Sequence, residues 1–300
     1  MDYYNKTDMD YSELLKSYGG AMSEREIAAQ VERARGAAPA NYNAEVYKLC
    51  YSAIDLTSLT ESDSVSSIAD FTRKAAEFGK KYPDIPNVAT ICVYPAFVDT
   101  VGIGVEGTDI GVTSVAGGFP SAQTFLEVKM LEIAMAAEGG ADEIDIVMNV
   151  GEMLSGDYDR VANDVEMMRS EAGDDIVFKV IIESGALKTP ELIRNASLLA
   201  MLAGADFVKT STGKIPVAAT PEAAVIMCTA IKDYYGSTGR KVGFKAAGGV
   251  RTAEEAAFYY TIVESILGEQ WLTPSLFRIG ASSLANNLLG AIIGKEIKYF

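Results

Sequence analysis

The most informative absence in this 300-residue chain is histidine, of which there is none. This absence excludes Ser-His-Asp triads, histidine general bases and most catalytic zinc sites. Basic residues are also scarce, because 26 lysines and arginines face 41 aspartates and glutamates, giving a formal net charge of −15. Such an acidic chain argues against nucleic acid or an anionic membrane as a partner, but it leaves room for a local basic pocket that binds a small anion.

Cysteines, prolines and long apolar runs are scarce as well. The cysteines, Cys50, Cys92 and Cys228, lie far apart and are odd in number, which favours a reduced cytoplasmic protein over a disulfide framework. The nine prolines form no proline-rich linker. The acidic, polar N-terminus is not expected to be a signal peptide, and no apolar run reaches the roughly 18 residues of a membrane span.

After the first 45 residues, which read as helical and polar, short apolar runs alternate with longer helical patterns. The apolar runs predict eight strands, at 51–57, 87–94, 109–117, 142–149, 176–184, 206–211, 241–248 and 277–283. The helical patterns lie at 64–81, 120–138, 157–171, 190–203, 221–235, 252–267 and 283–293. Strands that alternate with helices indicate a parallel sheet, and their number favours an α/β fold of the (β/α)8 TIM barrel type. We expect residues 1–45 to form a helical extension packed on a barrel of residues 46–300.

Charged residues inside the predicted strands carry the functional information. Lys179, Lys209 and Lys245 alternate in step with inward-facing neighbours, and Asp145 lies in the middle of its strand. Because the outer side of each strand packs on helices, these four side chains are expected to face the barrel interior. A buried ion-pair network that only holds the barrel together is the alternative, but three lysines with few acids fit it poorly, since uncompensated buried charge is costly.

Lys209 and Lys245 are expected to lie side by side on adjacent strands. A lysine is a nucleophile only as a neutral amine, and both burial and a neighbouring ammonium lower its pKa. Two unit charges about 5 Å apart at an effective dielectric near 20 repel by roughly 3 kcal/mol, or about 2 pKa units. We therefore expect a neutral lysine that attacks a carbonyl to form a Schiff base, and the hydroxyl residues that follow Lys209 favour it over Lys245.

Three glycine-rich segments follow the last three predicted strands: STGK at 211–214, GGVR at 248–251 and GASS at 280–283. Each one alone is most simply a tight turn with a helix cap, but three side by side on a barrel rim predict an anion site. The residues expected to supply charge, close backbone approach or hydroxyl groups are Lys214, Arg251, Gly248, Gly249, Ser282 and Ser283.

From AIDLTSLT at 53–60 to GASSL at 280–284, the chain resembles the deoxyribose-phosphate aldolases, class I aldolases on a TIM barrel. The most specific segments are ICVYP, EIDIVMN, FKVIIESG, AGADFVKTSTGK, VGFKAAGGVRT and RIGASSL. The resemblance implies reversible cleavage of 2-deoxy-D-ribose 5-phosphate to acetaldehyde and glyceraldehyde 3-phosphate, with no metal and no cofactor. Two alternatives stay open: a Schiff-base barrel aldolase for a longer sugar phosphate, and a non-catalytic barrel that binds a sugar phosphate.

The resemblance also implies roles for individual residues. Lys209 would form the Schiff base, Lys245 would be its partner lysine, and Asp145 and Lys179 would complete the catalytic set, with Asp145 moving protons through a water molecule. The implied phosphate contacts are Gly213, Lys214, Gly248, Gly249, Arg251, Gly280, Ser282 and Ser283. Further substrate contacts are expected at Asp55, Thr57 and Thr210, although Asp55 and Thr57 equally suit a cap of the first loop.

Some features lie outside this pattern. Thr60 stands where some family members carry Asn, which leaves the contacts to substrate hydroxyls there open. Tyr299 either reaches the barrel mouth as a proton donor or belongs to a frayed end. The expected partners are small sugar phosphates and aldehydes. A homo-oligomer, with a dimer favoured, and a cytoplasmic role in breakdown of carbohydrates and deoxyribonucleotides complete the expectations.

Overall fold

The computed structural model describes residues 10–300, and its centre is a closed barrel of eight parallel strands. In chain order the strands are β1 Ile54–Thr57, β2 Thr90–Val93, β3 Gly111–Ala116, β4 Glu143–Val147, β5 Val177–Ile181, β6 Phe207–Lys209, β7 Gly243–Ala247 and β8 Phe277–Ala281. Each strand pairs with the next along the chain, and β8 closes the barrel against β1. The prediction of a (β/α)8 barrel is confirmed.

Fourteen α-helices surround or extend the barrel within the described residues. In chain order they are α1 Tyr11–Ser17, α2 Glu24–Ala37, α3 Ala44–Ser52, α4 Val65–Ala76, α5 Phe78–Lys81, α6 Val98–Val105, α7 Leu126–Glu138, α8 Val150–Ser155, α9 Tyr158–Ala172, α10 Ser184–Leu187, α11 Pro190–Leu202, α12 Pro221–Thr238, α13 Ala253–Leu267 and α14 Leu284–Ile293. None of these helices is both long and apolar enough to cross a membrane.

Local sequence signals set where several of these helices begin. Thr189 and Thr220 cap α11 and α12, and each is followed by a proline at the first helical position. Thr252 caps α13 and forms a capping box with Glu255. These side chains satisfy backbone N–H groups that have no partner within the helix, so each helix starts at a defined residue beside the barrel rim.

Several predicted boundaries differ from the structure, and two element starts show why. The first predicted strand, 51–57, starts too early because α3 continues to Ser52 before β1 begins. The predicted helix 120–138 also starts too early, since α7 begins only at Leu126. Three residues just before α7 have positive φ angles, which an α-helix does not accommodate: Gly117, Gly118 and Ala122.

The N-terminal helices lie against the outer helices of the barrel. α1 packs on α9 and α11, where the backbone N–H of Tyr11 donates to Asp159. α2 packs on α12 and α13, and α3 packs on α13 and α14. α3 spans the position of the expected domain boundary, and the division into residues 1–45 and 46–300 stays a prediction.

The C-terminal tail is packed rather than frayed. The backbone N–H groups of Tyr299 and Phe300 both donate to Asn286 of α14, at 2.7 and 3.0 Å. The ring of Tyr299 packs edge-on against Phe78, and its hydroxyl donates to the carbonyl of Lys74. The expectation of a frayed end is therefore wrong, and the Tyr299 hydroxyl is engaged on α4.

Gly243, at the start of β7, leaves no space for a side chain. A Cβ added there would overlap the ring of Phe207, whereas one added at Gly236 on α12 would meet no atom within 4 Å. We expect Gly243→Ala to lower the free energy of unfolding by about 1–3 kcal/mol through overpacking. Gly236→Ala should raise it by about 0.5–1 kcal/mol, because it reduces the entropy of the unfolded chain. Denaturant titration measures both, and equal unfolding free energies for the two variants would contradict the packing described.

Candidate active site

Three lysines predicted to face the barrel interior meet around Asp145, the fourth charged residue of that prediction. Its Oδ1 accepts a hydrogen bond from Lys179 Nζ at 2.8 Å. Its Oδ2 accepts from both Lys209 Nζ, at 2.7 Å, and Lys245 Nζ, at 2.6 Å. Strand register explains the meeting, because Asp145 is paired with Lys179 across β4 and β5, and Lys209 with Lys245 across β6 and β7.

Two members of this charge network, Glu143 and Arg278, are absent from the sequence prediction. Glu143 Oε2 lies 2.5 Å from Lys179 Nζ, and Glu143 Oε1 lies 2.7 Å from an Arg278 nitrogen. Both Arg278 and Lys245 also form ion pairs with Asp55. The alternation of strand residues carries a signal for both, since Glu143 lies two positions before Asp145 and Arg278 two before Gly280.

The network has more basic than acidic side chains. Its bases are Lys179, Lys209, Lys245 and Arg278, and its acids are Asp55, Glu143 and Asp145. With all seven ionised it carries one excess positive charge, in a place where burial makes uncompensated charge costly. The network is balanced when one lysine is neutral.

Lys209 is the lysine that the electrostatics favour as neutral. Burial lowers the pKa of Lys209 below its ordinary value and the Lys245 ammonium lowers it further, while Asp145 opposes them only in part. Burial also acts on Lys245 and Lys179, but the neighbouring carboxylates outweigh it and raise the pKa of both. The opposite pKa shifts follow from the number of neighbouring carboxylates. Lys209 contacts one carboxylate, whereas each of the other two lysines contacts at least two.

Asp145 is held in its ionised form. Burial alone would favour its neutral form, but Lys179, Lys209 and Lys245 outweigh burial and hold the pKa of Asp145 well below its usual range. Lys245 and Arg278 do the same for Asp55. A carboxylate with so low a pKa is a weak base, yet it is well suited to stabilise a nearby positive charge.

The network opens into a cavity through Lys209. This cavity, of about 720 Å³, lies at the carboxyl ends of the strands and has Lys209 in its lining. Asp145, Lys179, Lys245 and Asp55 are fully buried and do not line it. Among the residues of the network, a substrate in the cavity therefore meets Lys209, and the other charges of the network act on this amine from beneath.

The residues predicted to bind phosphate come together in the wall of this same cavity. They are Gly213, Lys214, Gly248, Gly249, Arg251, Gly280, Ser282 and Ser283. Gly248 has a positive φ, and a Cβ there would lie 2.7 Å from the Cβ of Ala218 and 3.2 Å from Gly213 Cα. This close approach requires glycine at position 248 and brings the loops after β6 and β7 together at the rim.

The three weaker substrate candidates are placed differently from one another. Thr57 lines the cavity. Asp55 belongs to the buried network beneath it. Thr210 is buried, with its hydroxyl donating to the carbonyl of Ala247 and accepting from its backbone N–H. Thr210 thus joins β6 to β7 rather than facing the cavity.

Asp63 organises the loop after β1. Its carboxylate accepts from the hydroxyl of Ser58 and from both the backbone N–H and the hydroxyl of Thr60. Ser58 and Thr60 also line the cavity. Asp63 therefore caps the loop in which it lies, and it holds the Thr60 side chain in place.

The site suits an anion better than a cation. Every acid of the network contacts a lysine or arginine. In residues 10–300 there is no cluster of three or more histidine, cysteine, aspartate or glutamate side chains with a metal-binding arrangement. The cavity wall instead presents two cationic side chains, hydroxyl groups and glycine backbone.

Comparisons with known proteins agree with this geometry. A family model described as DeoC/LacD family aldolase matches residues 50–297. A Caenorhabditis elegans protein named as a candidate deoxyribose-phosphate aldolase is 38% identical over 286 residues, which cover 95% of this chain and 94% of that protein. The deoxyribose-phosphate aldolase of Mus musculus is 43% identical over 250 residues, 78% of this chain and 77% of that protein. The tetrameric deoxyribose phosphate aldolase of Aeropyrum pernix superposes with a TM-score of 0.64 at 25% identity, over 90% of this chain and 98% of that one.

Lys245→Met tests the electrostatic origin of the neutral amine. Because Lys209 and Lys245 both bind Asp145 Oδ2, their nitrogens lie within about 5 Å of each other. Loss of the Lys245 ammonium should raise the pKa of Lys209 by about 2 units at an effective dielectric near 20. The pH dependence of reductive methylation at Lys209, read by peptide mass spectrometry, measures this shift.

The control for that experiment is Lys232→Met, which removes an exposed lysine on α12 and should leave the titration of Lys209 in place. A folded Lys245→Met variant in which Lys209 titrates at the same or a lower pH would contradict the electrostatic account.

Proposed function

The chain belongs to the DeoC/LacD family of aldolases, and we propose that it cleaves 2-deoxy-D-ribose 5-phosphate reversibly into acetaldehyde and D-glyceraldehyde 3-phosphate through a Schiff base. The observation that carries this proposal is Lys209, a lysine of lowered pKa at the floor of a cavity with an anion-binding rim. The names of the mouse and C. elegans relatives support the choice of substrate.

Covalent catalysis begins at the neutral amine of Lys209. The amine attacks C1 of the open-chain sugar and forms a carbinolamine, which loses water to give a protonated imine. A water molecule then accepts the proton of the C3 hydroxyl as the C2–C3 bond breaks, and the bond's electron pair goes to the imine, which releases D-glyceraldehyde 3-phosphate and leaves an enamine on the lysine. Protonation of the enamine at C2 and addition of water release acetaldehyde and restore the amine.

The charged residues beneath Lys209 stabilise the neutral amine and the protonated imine through which the reaction passes. We assign Asp145 to the stabilisation of the protonated imine, because its Oδ2 lies 2.7 Å from Lys209 Nζ and its low pKa makes it a poor base. The water-mediated proton transfer by Asp145 that the sequence led us to expect stays a prediction. Lys245 keeps Lys209 neutral before the attack, and Lys179 holds the second oxygen of Asp145 in place.

The rim loops are assigned to the substrate phosphate. Lys214 and Arg251 provide positive charge, and Ser283 lies at the N-terminal end of α14, where backbone N–H groups favour an anion. We assign the sugar carbonyl to Lys209 and the phosphate to the rim loops, all of which line the same cavity.

The rival functions lack a supporting observation. A barrel that only binds a sugar phosphate gains nothing from a buried lysine of lowered pKa beside a fully buried carboxylate. The names of the relatives do not support an aldolase whose substrate is a longer sugar phosphate.

Further parts of the proposal concern the setting of the enzyme. We propose that it works without a metal or organic cofactor, since the chemistry above needs the amine of Lys209, the neighbouring carboxylate and water. A homo-oligomer is supported by the tetramer of the Aeropyrum pernix protein. A cytoplasmic location and the absence of nucleic acid or membrane partners stay predictions.

A comparison of two substrates tests the assignment of Lys209 to the sugar carbonyl and of the rim loops to the phosphate. The purified protein should release acetaldehyde from 2-deoxy-D-ribose 5-phosphate far faster than from 2-deoxyribose. Arg251→Ala should raise KM for the phosphorylated sugar about tenfold, the worth of a charge-assisted contact, and should change kcat/KM for 2-deoxyribose much less. Lys232→Met is the matched control. Absence of acetaldehyde would sink the proposed function, whereas equal loss on both sugars would remove Arg251 from the phosphate site.

Asp145→Asn separates charge stabilisation from a folding role. The amide nearly keeps the volume but removes the anion, so kcat should fall by about 10²–10⁴-fold. Asp145 raises the pKa of Lys209, so its loss should also move the acidic limb of the pH–rate profile to lower pH. Steady-state kinetics across the pH range measure both effects. An upward shift of that limb, or full activity, would contradict the role given to Asp145.

A further inference from the structure

Glu183 follows β5 and has an unusual backbone conformation. Its φ is +53°, in the left-handed region that is uncommon for any residue with a side chain. It directly precedes α10, but its side chain makes no hydrogen bond to the N–H groups of that helix. Backbone conformations of this kind occur preferentially at functional sites.

A bulge just past the paired ends of β5 and β6 accounts for this conformation. Ile182 N donates to Lys209 O at 3.0 Å, and Ser184 N donates to Thr210 O at 2.9 Å. The chain therefore advances by two residues on the β5 side and by one on the β6 side, which makes Glu183 the extra residue. A bulge redirects the side chain at its position, and bulges are common beside active sites.

The redirected carboxylate of Glu183 contacts the loop after β6. One of its oxygens accepts from the backbone N–H of Thr212 at 3.2 Å, and the other accepts from the Thr212 hydroxyl at 2.5 Å. Glu183 is 4% exposed, and a buried carboxylate needs such bonds to offset its loss of hydration. Thr212 lines the cavity and Glu183 does not, so Glu183 acts on the cavity wall from outside it.

Hydrogen bonds continue from Thr212 across the rim. The Thr212 hydroxyl accepts from the backbone N–H of Lys214 at 3.1 Å. The Lys214 ammonium donates to the carbonyl of Leu59, which lies in the loop after β1. Because Lys214 and Leu59 also line the cavity, the chain of bonds that begins at Glu183 joins two of the loops around it.

These bonds leave the N–H of Gly213 available to a ligand. The N–H groups on either side of it are paired, since Thr212 donates to Glu183 and Lys214 donates to Thr212. The N–H of Gly213 has no acceptor within residues 10–300. Gly213 is exposed, lines the cavity and has a φ of +76°. A backbone N–H at such a turn is suited to binding an anion.

A second contact fixes the far end of the same loop. An added Cβ at Gly185, in α10, would overlap the carbonyl oxygen of Val217. The segment that starts at Glu183 therefore touches the loop after β6 at both Thr212 and Val217. Of these two contacts, the one with Thr212 lies next to Gly213 and Lys214.

We infer that Glu183 is a positioning residue for the substrate phosphate, which acts by holding Thr212 so that Gly213 and Lys214 meet the phosphate. This inference rests on the proposed function, which assigns Gly213 and Lys214 to that group. The Glu183 side chain contacts neither the cavity nor the amine of Lys209. Loss of the carboxylate should therefore weaken phosphate binding and leave the chemistry at Lys209 unchanged.

Charge alone predicts the opposite effect. A carboxylate repels a phosphate, so removal of the Glu183 charge would lower KM for the phosphorylated sugar if repulsion were the main effect. Removal raises KM if the hydrogen bonds to Thr212 matter more. The direction of the change in KM therefore distinguishes positioning from simple electrostatics.

Substitutions of Glu183 test the inference. Glu183→Gly removes the carboxylate and suits the left-handed backbone, whereas Glu183→Ala removes the carboxylate and keeps the strain. Both should raise KM for 2-deoxy-D-ribose 5-phosphate about tenfold, with little change in kcat or in kcat/KM for 2-deoxyribose. Glu183→Gln keeps one acceptor oxygen, so its KM should lie between those of these variants and wild type. Thermal unfolding should show Glu183→Gly to be more stable than Glu183→Ala.

Ser184→Ala is the matched control. Ser184 is also 4% exposed, and its hydroxyl has no hydrogen-bond partner in the part of the chain that the structure describes. Its backbone bond to Thr210 does not depend on the side chain. We expect Ser184→Ala to keep the wild-type KM for both sugars.

Thr212→Val tests whether Glu183 acts through Thr212. Valine nearly keeps the shape of threonine but removes the hydroxyl that bonds to Glu183 and Lys214. If the two side chains act through one contact, the double variant of Glu183→Gly and Thr212→Val should raise KM about as much as the larger single effect. A rise equal to the product of the two single effects would contradict a route through Thr212.

Binding of inorganic phosphate gives a measurement that does not need the reaction. Isothermal titration calorimetry should show about tenfold weaker binding of phosphate to Glu183→Gly than to wild type. Hydrogen exchange should be faster in the peptide that covers residues 211–217, because the loop has lost its bonds to Glu183. Both measurements stand whether or not wild type releases acetaldehyde, so an inactive wild type counts against the proposed function alone.

Three results overturn the inference. They are an unchanged or lower KM for the phosphorylated sugar in folded Glu183→Gly, an unchanged phosphate affinity in that variant, and a loss of activity on both sugars in proportion to a loss of stability. The last result would show that Glu183 has a purely structural role.

Discussion

The Asp145 carboxylate is the interaction on which the barrel interior depends. One oxygen binds Lys179 and the other binds Lys209 and Lys245, so a single side chain sets the positions of three lysines from three consecutive strands. Burial makes every one of these charges costly unless it is paired. The network holds one base more than it holds acids, and the cost of that excess falls on the lysine with the fewest carboxylate contacts, which is Lys209.

Residues at different depths in the barrel have different roles in the site. Asp55 and Glu143, both paired with Arg278, form a buried lower layer of the network. Together with Asp145 they raise the pKa of Lys179, and Asp145 and Asp55 raise the pKa of Lys245. Lys209 stands above this layer and opens to the cavity, whose rim is built from glycine backbone, Lys214 and Arg251. The same burial that makes the network costly also lowers the pKa of Lys209, which is the lysine of the network that lines the cavity.

The sequence predicts the barrel and the identity of the central charges because both follow from short periodic patterns. The alternation of inward and outward residues correctly predicts that Lys179, Lys209 and Lys245 face the barrel interior. Strand order correctly makes Lys209 and Lys245 neighbours. The sequence does not identify two further charged residues of the network, Glu143 and Arg278, because they stand near the beginnings of their strands, where a charged residue is typical of an exposed strand end.

Other features depend on contacts between distant residues and leave no local pattern. The bond from Glu183 to Thr212 joins residues of two different strand ends, and the left-handed backbone of Glu183 is imposed by those partners rather than by its own type. The start of α7 moves to Leu126 because of turn conformations upstream. The weak-base character of Asp145 likewise appears only when the three ammonium groups are seen together.

The most direct measurement of the central claim is to trap the covalent intermediate and locate it. The protein is incubated with limiting acetaldehyde and borohydride, digested, and its lysine peptides are mapped by mass spectrometry. The account predicts a reduced ethyl adduct on Lys209, formed before any other lysine is modified. An adduct found first on Lys245, or no adduct on Lys209 in an enzyme that releases acetaldehyde, would contradict it.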